Sequence, residues 1–381
     1  MARKAYIGIN GVAKAVKNGY IGFDGVAKRI KKAYIGIGGV ARPCWAGGSG
    51  GELIYYGTAT GLSVARSSLA ATTVGGYALF GGGNASNYSY VVDAYDTFLT
   101  RSIPTVLSQV RSSLAATTVG GYALFAGGGY IPTSSAHTKT KVVDAYNESL
   151  TRSIPTELSY AKESFAATTV GNYALFGGGD ETSVNSYNQS LTRSSAQSFS
   201  KTVSALTATT IGNYALFGGG RLPDNTESDT VFAYDESLTQ TLPTVLSKAR
   251  YKLAATTVGN YALFGGGGEV NSVNMYSTVD AYDRSLARTL PTGLSVARGF
   301  LAATTVGEYA LFGGGREDDT FDELSVVDSY DVNLTRTTQA NLNTARSILA
   351  ATSIGCFALF GGGNERISST AISTVDAYTV T

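Results

Sequence analysis

The sequence predicts an all-β fold: a seven-bladed β-propeller preceded by a small β-hairpin module. Three observations carry this. The composition suits short strands joined by tight turns, with 47 glycines, 24 tyrosines and only 7 prolines in 381 residues. A signature, Ala-Ala-Thr-Thr-Val-Gly-x-Tyr-Ala-Leu-Phe-Gly-Gly-Gly, recurs with a period near 47. The last copy also stops one strand short, and the segment before the first copy aligns with the strand that is missing.

The amino-terminal segment has its own period. Tyr6, Tyr20 and Tyr34 each open a Tyr-Ile-Gly run 14 residues after the last. Asn10-Gly11, Asp24-Gly25 and Gly38-Gly39 follow, then Val-Ala-Lys or Val-Ala-Arg. Such pairs tolerate positive φ at both central positions of a two-residue hairpin. Three successive hairpins are expected, each too small to bury a core alone. Charge marks the boundary: residues 1–46 carry a net +8 and the rest −7, for +1 overall. The domains are therefore 1–46, a basic hairpin module for anchoring or assembly, and 47–381, the propeller.

Within the propeller the triple glycines start at Gly81, Gly127, Gly177, Gly218, Gly265, Gly313 and Gly361. Four strands are expected per copy. Strand a is the Ala-Thr-Thr-Val run, b is Tyr-Ala-Leu-Phe and c is Val-Asp-Ala-Tyr. Strand d starts at Leu99, Leu150, Leu191, Leu238, Leu286 or Leu334. The seventh copy has no d strand before Thr381, while Ile54–Arg66 aligns with Leu99–Arg111. Ile54-Tyr55-Tyr56 should then supply the outer strand of the last blade and close one ring.

The glycines after an aromatic strand, the Val-x-x-Tyr-Asp strand and the Arg before the next copy resemble the kelch repeat, over about residues 52–381. Kelch blades usually carry a Trp after the Tyr-Asp strand. Here the only tryptophan is Trp45, which leaves Leu99 or Ile103 and their equivalents to fill that space. The 14-residue repeats resemble those of tail-associated proteins of phages and prophages of Gram-positive bacteria.

Composition excludes much chemistry. One histidine, His137, and two cysteines, Cys44 and Cys356, do not make a zinc or copper cluster, a catalytic triad or a disulfide framework. No cofactor or metal is expected. The triple glycines end a strand with no helix behind them, so they are not phosphate loops. Neither membrane insertion nor a nucleic-acid partner is expected, and the amino terminus shows no secretory signal. His137 reads as a surface residue. The acidic run Glu317, Asp318, Asp319, Asp322, Glu323 reads as a solvated loop, lacking the spacing of a calcium loop.

Alternating strands put the b–c and d–a connections on one face of the ring. The b–c loops there are diverse, as a binding framework requires. Just before strand a comes a repeated basic position: Arg66, Arg111, Lys162, Arg250, Arg298 and Arg346, with Val203 in the fourth copy. These side chains are candidates to hold an anionic or sugar ligand near the channel mouth, the architectural alternative being an ion pair with a neighbouring acid. Tyr88, Tyr90, Tyr130, Tyr276 and Phe321 are candidates to stack on sugar rings. Arg101, Arg152, Arg193, Arg288 and Arg336 read as a solvated outer edge.

Together the resemblances imply a two-part, non-enzymatic virion protein of the tail or baseplate, assembled in the host cytoplasm. Residues 1–46 would bind other virion proteins, with copies of the chain forming a homo-oligomer in the particle. The propeller loops would meet a host-surface glycan or protein. The alternative is a cytosolic bacterial kelch-like interaction scaffold. An enzyme is disfavoured, because the repeated acids Asp93, Asp144, Asp280, Asp328 and Asp376 recur in strand c as structural residues would.

Overall fold

The computed structural model describes residues 5–9, 12–16, 20–23, 26–29, 32–37, 40–46, 51–132, 136–270, 274–317, 322–365 and 370–381, with backbone pairing alone before residue 51. Three antiparallel pairs come first: Ala5–Ile9 with Val12–Val16, Tyr20–Phe23 with Val26–Arg29, and Lys32–Ile37 with Val40–Ala46. Ile9 faces Val12, Phe23 faces Val26 and Ile37 faces Val40. The turn pairs themselves lie outside the described residues.

Seven four-stranded antiparallel sheets follow. In blade 1, strand a is Ala70–Val74, b is Tyr77–Gly81, c is Val92–Tyr95 and d is Arg101–Ser102. Strand d therefore begins two residues later than Leu99. Asp96 Oδ1 accepts the backbone N–H of both Phe98 and Thr100, each at 2.8 Å, and Leu99 sits in the turn at φ 62°. Leu150, Leu191, Leu238, Leu286 and Leu334 repeat this at φ 59–64°. A leucine is unfavourable in that region. Burial offsets the cost, because Leu99 joins the core beside Phe357 and Leu359, whereas Ile103 is 53% exposed.

The ring closes as the phasing requires. Leu53–Ala59 pairs with Val375–Val380, Tyr378 opposite Tyr55, to complete blade 7. Thr381 N–H donates to Glu52 O at 3.0 Å, and Tyr309 Oη in blade 6 donates to Gly51 O at 2.9 Å.

The core lies between blades. Val74, Leu79, Val92 and Ala94 of blade 1 pack on Leu114, Ala123, Phe125 and Tyr146 of blade 2. Full burial of a ring such as Phe125 contributes roughly 1.5–3 kcal/mol. Glycine permits this closeness: a Cβ on Gly81 would lie 2.6 Å from the Phe125 ring, and one on Gly361 would lie 2.8 Å from Phe80, across the closure. Blade 2 departs by one residue. Ala126 pairs with Ala115 as Gly81 pairs with Ala70, so Ala126 rather than Gly127 holds the equivalent position.

Strand a lines the central channel. Its Ala70, Thr72 and Val74 are buried, and residues equivalent to Ala71, Thr72 and Thr73 surround a 570 Å³ cavity. The threonines are tied across blades: Thr72 and Thr118 hydroxyls lie 2.9 Å apart, and Thr118 Oγ1 donates to Thr73 O at 2.6 Å.

Candidate functional site: the channel mouth

The d–a segments reach the channel at Ser68, Ser113, Ser164, Ala205, Lys252, Phe300 and Ile348, each at φ 52–58°. Their backbones form a closed circle. Ser113 N–H donates to Ser68 O, Ser164 to Ser113, Ala205 to Ser164, Lys252 to Ala205, Phe300 to Lys252, Ile348 to Phe300 and Ser68 to Ile348, at 2.6–3.3 Å. The circle rims a 340 Å³ cavity at the mouth. Outside it, the d–a segments pair with the starts of the b–c loops: Ser67 with Asn84, Ser204 with Arg221, Tyr251 with Gly268 and Gly299 with Arg316. The diverse loops thus stand directly around the mouth, on the expected face.

The rim is uneven. Ser68, Ser113, Ser164 and Ala205 are small, whereas Lys252, Phe300 and Ile348 are large. Lys252 Nζ lies 5.2 Å from the Phe300 ring centre, and the Arg316 guanidinium covers that ring at 3.9 Å. Tyr251 meets Phe300 edge-on at 6.3 Å. Burial, and then the charges of Arg221 and Arg316, push the Lys252 ammonium below its usual pKa, with Glu163 opposing. A second cavity of 270 Å³ lies beside the mouth, lined by Asp180, Ser204, Arg221 and Asn225 among others.

The repeated basic position is elsewhere, and this corrects the ligand role expected for it. Arg66, Arg111, Lys162, Arg250, Arg298 and Arg346 are all fully buried. Arg66 pairs with Asp93 at 2.7 Å, Arg111 with Asp144 at 2.6 Å, Arg250 with Asp280 at 2.7 Å, Arg298 with Asp328 at 2.9 Å and Arg346 with Asp376 at 2.6 Å. Each guanidinium also donates to a strand-b carbonyl, as Arg66 does to Phe80 O at 2.9 Å. The same aspartate accepts the d–a backbone, as Asp93 does from Ser63 N–H at 2.9 Å. Tyr95 Oη donates to Thr60 O at 2.7 Å in that segment. The Val-Asp-Ala-Tyr signature is a clamp on the incoming chain. Burial by itself would raise the Asp328 pKa; the Arg298 charge and the Ser295 and Arg298 hydrogen bonds outweigh it and hold the carboxyl below its ordinary value.

The outer arginines are also not a solvated edge. Arg101, Arg152 and Arg288 are half-buried, reach the same aspartates at 3.6–3.7 Å, and donate to d–a carbonyls of Gly61, Val106 and Val245. Arg336 meets Asp328 at 3.0 Å, and Arg193 donates to Asn185 Oδ1 at 3.2 Å. In blade 7, Tyr55 Oη takes this place, donating to Asp376 at 2.7 Å.

Two blades change the clamp on both sides at once. In blade 3, Asn185 replaces the aspartate and Lys162 the arginine. Lys162 Nζ donates to Ser183 O at 2.8 Å, and burial lowers its pKa to about 8 despite Glu181 and Asp180. In blade 4, Phe232 and Val203 replace the pair, and Phe199 stacks on Phe232 at 4.2 Å.

Of the loop aromatics, Tyr90 is exposed and Tyr88, Tyr130 and Tyr276 are half-buried. Tyr276 is engaged, its hydroxyl donating to Glu269 and its ring lying under Lys248 Nζ at 4.1 Å. Burial and that carboxylate raise its pKa to about 12. Phe321, Asp318 and Asp319 lie outside the described residues, as does the side chain of Cys44. Cys356 is buried. His137 has the carboxylate partner that its sequence surroundings did not offer: its Nε2 lies 3.2 Å from Glu163 on the d–a segment. Sequence reasoning also missed Lys252, Phe300 and Arg316. The signal was there in the residue two places after each clamp position, which reads Ser, Ser, Ser, Ala, Lys, Phe, Ile around the ring.

Fold and site together define a β-propeller with a charged, loop-walled mouth. Among solved structures, the chain is similar to one titled "Structure of YjhT", with a TM-score of 0.60, 12% identity, and coverage of 74% of this chain and 99% of that one. At that identity the likeness is one of fold. No protein-family model matches the chain, and no curated protein matches it.

Proposed function

We propose that this chain is a non-enzymatic recognition protein of a phage tail or baseplate, with a kelch-like propeller that binds a host-surface glycan or protein through its b–c loop face. One observation carries the reading. Near-identical blades bear loops of unlike length and chemistry on one face only, gathered around a mouth whose residues also differ from blade to blade. The aspartates that could have served as paired catalytic carboxylates are committed to buried clamps. The virion setting rests on the 14-residue repeats and their resemblance to tail-associated proteins. Residues 1–46 are then the part that meets other virion proteins.

The test is binding of labelled full-length protein to a panel of Gram-positive cells and their isolated wall glycans. Saturable binding to particular strains, weakened by substitutions in the b–c loops, is the expected result. No saturable binding to any strain overturns the reading. A protein-interaction scaffold is the second reading, favoured by Ile103, Ile154, Leu242 and Leu290, which stand 53–60% exposed beside the outer strands. Under it, changing these residues to lysine abolishes capture of a bacterial protein partner, and cell-surface binding is absent.

A further inference from the structure

We infer that the channel mouth is an oxyanion site in which Lys252 binds a phosphate, sulfate or carboxylate group. The inference rests on the recognition reading above and narrows its ligand to one that carries negative charge. Lys252 is the only cation in the seven-membered rim, and its backbone is fixed on both sides by the circle of hydrogen bonds. Its side chain lines the 340 Å³ cavity. No acceptor lies within hydrogen-bonding distance of its ammonium among the described residues, so its donors are available.

The surroundings add positive charge to the same side. Arg221 and Arg316 both act on Lys252, and Glu163 is the opposing carboxylate, itself drawn toward His137. Burial is the larger cause of the depressed ammonium pKa and the two guanidinium charges come second; a bound anion would offset both. Lys252 and Arg316 both make cation–π contact with the Phe300 ring, which holds the two cations at one side of the mouth. Opposite them, Ser68, Ser113 and Ser164 leave room and hydroxyls for the rest of a ligand. The channel wall below is uncharged, lined by threonines and alanines. Charge at this rim is therefore not cancelled from beneath, and a charge-assisted hydrogen bond from Lys252 is strong in such a concave site.

The experiment is calorimetric titration of the full chain with inorganic phosphate, glucose 6-phosphate, glucuronate and glucose. Lys252→Met is compared with Arg284→Met, which removes the same charge from the exposed c–d turn of the opposite face. Unfolding midpoints establish that both variants fold. The expected result is saturable binding of the three anions but not glucose, weakened about tenfold or more by K252M, unchanged by R284M and diminished by added salt. Binding of phosphate and glucose 6-phosphate but not glucuronate assigns the site to a phosphate group, and binding of glucuronate alone to a carboxylated ligand; either supports an oxyanion site. Equal binding of glucose, equal effects of the two variants, or no saturable binding overturns it. Cell binding separates the two readings. If wild type and K252M bind cells equally and phosphate does not compete, recognition stands and the anion site falls. If phosphate binds at Lys252 but no cell is recognised, the reverse holds.

Discussion

At the scale of single residues, the clamps show the chain repeating an experiment on itself. Where aspartate becomes asparagine, arginine becomes lysine; where aspartate becomes phenylalanine, arginine becomes valine and a leucine becomes Phe199. This is what buried ion pairs demand, since a charge left without its partner costs far more than the pair contributes. Asp280→Asn alone should therefore destabilise the protein by about 3–5 kcal/mol in urea unfolding. The triple change Arg250→Val, Asp280→Phe, Leu246→Phe, copied from blade 4, should cost less than that single one. If the triple costs more, the clamp is not modular. Lys162 gives a pH signature. Its folded pKa of about 8 lies below its unfolded value of 10.5, so the unfolded chain holds the proton more tightly. Below about pH 8 both states are protonated and the burial penalty is complete. As pH rises from there toward 10.5, the folded state sheds the proton first and stability should increase. The difference between the urea midpoints of wild type and Lys162→Met should grow in favour of wild type across this range, because the other buried titratable groups are common to both proteins. The arginine and aspartate series were both visible in the sequence. Their pairing was not, because partners stand 27–33 residues apart and meet only through the register of strand c.

At the scale of elements, strands a, b and c were legible because each keeps its apolar run and its turn residues in every copy. Strand d was placed two residues early. A leucine in the left-handed region reads as strand, since nothing in its identity announces a turn that glycine or asparagine would have marked. The blade interface makes its own prediction. A Cβ on Gly265 would lie 2.8 Å from the Phe312 ring of the next blade. Gly265→Ala should cost about 1–3 kcal/mol, from overpacking of a full interface. The reverse change in blade 2, Ala126→Gly, should cost less, about 0.5–1 kcal/mol, since there the interface already accommodates a methyl group. Equal and small effects in thermal unfolding would mean that the blades separate easily enough to absorb the atom.

At the scale of the whole molecule, ring closure was the most legible feature, because a missing strand at one end and a surplus one at the other is a count that needs no propensity. The mouth was the least legible, because its chemistry comes from seven segments that no single stretch of sequence brings together. Closure can be tested directly. Removing residues 1–59 takes away Leu53–Ala59, the Tyr55–Asp376 bond and the cover over Tyr378. The remainder should unfold at a clearly lower temperature and with less cooperativity than a chain starting at residue 47. Equal midpoints would show that the outer strand of blade 7 adds little. The same strand sets how the molecule would carry a load. It begins at the c–d face and ends at the face with the mouth. A pull between whatever holds the chain before Glu52 and a ligand held at the rim therefore runs along Leu53–Ala59, parallel to its partner Val375–Val380. Tension in that direction shears the ladder, so its hydrogen bonds share the force instead of breaking one after another, and the seam that closes the ring is loaded in its strongest direction.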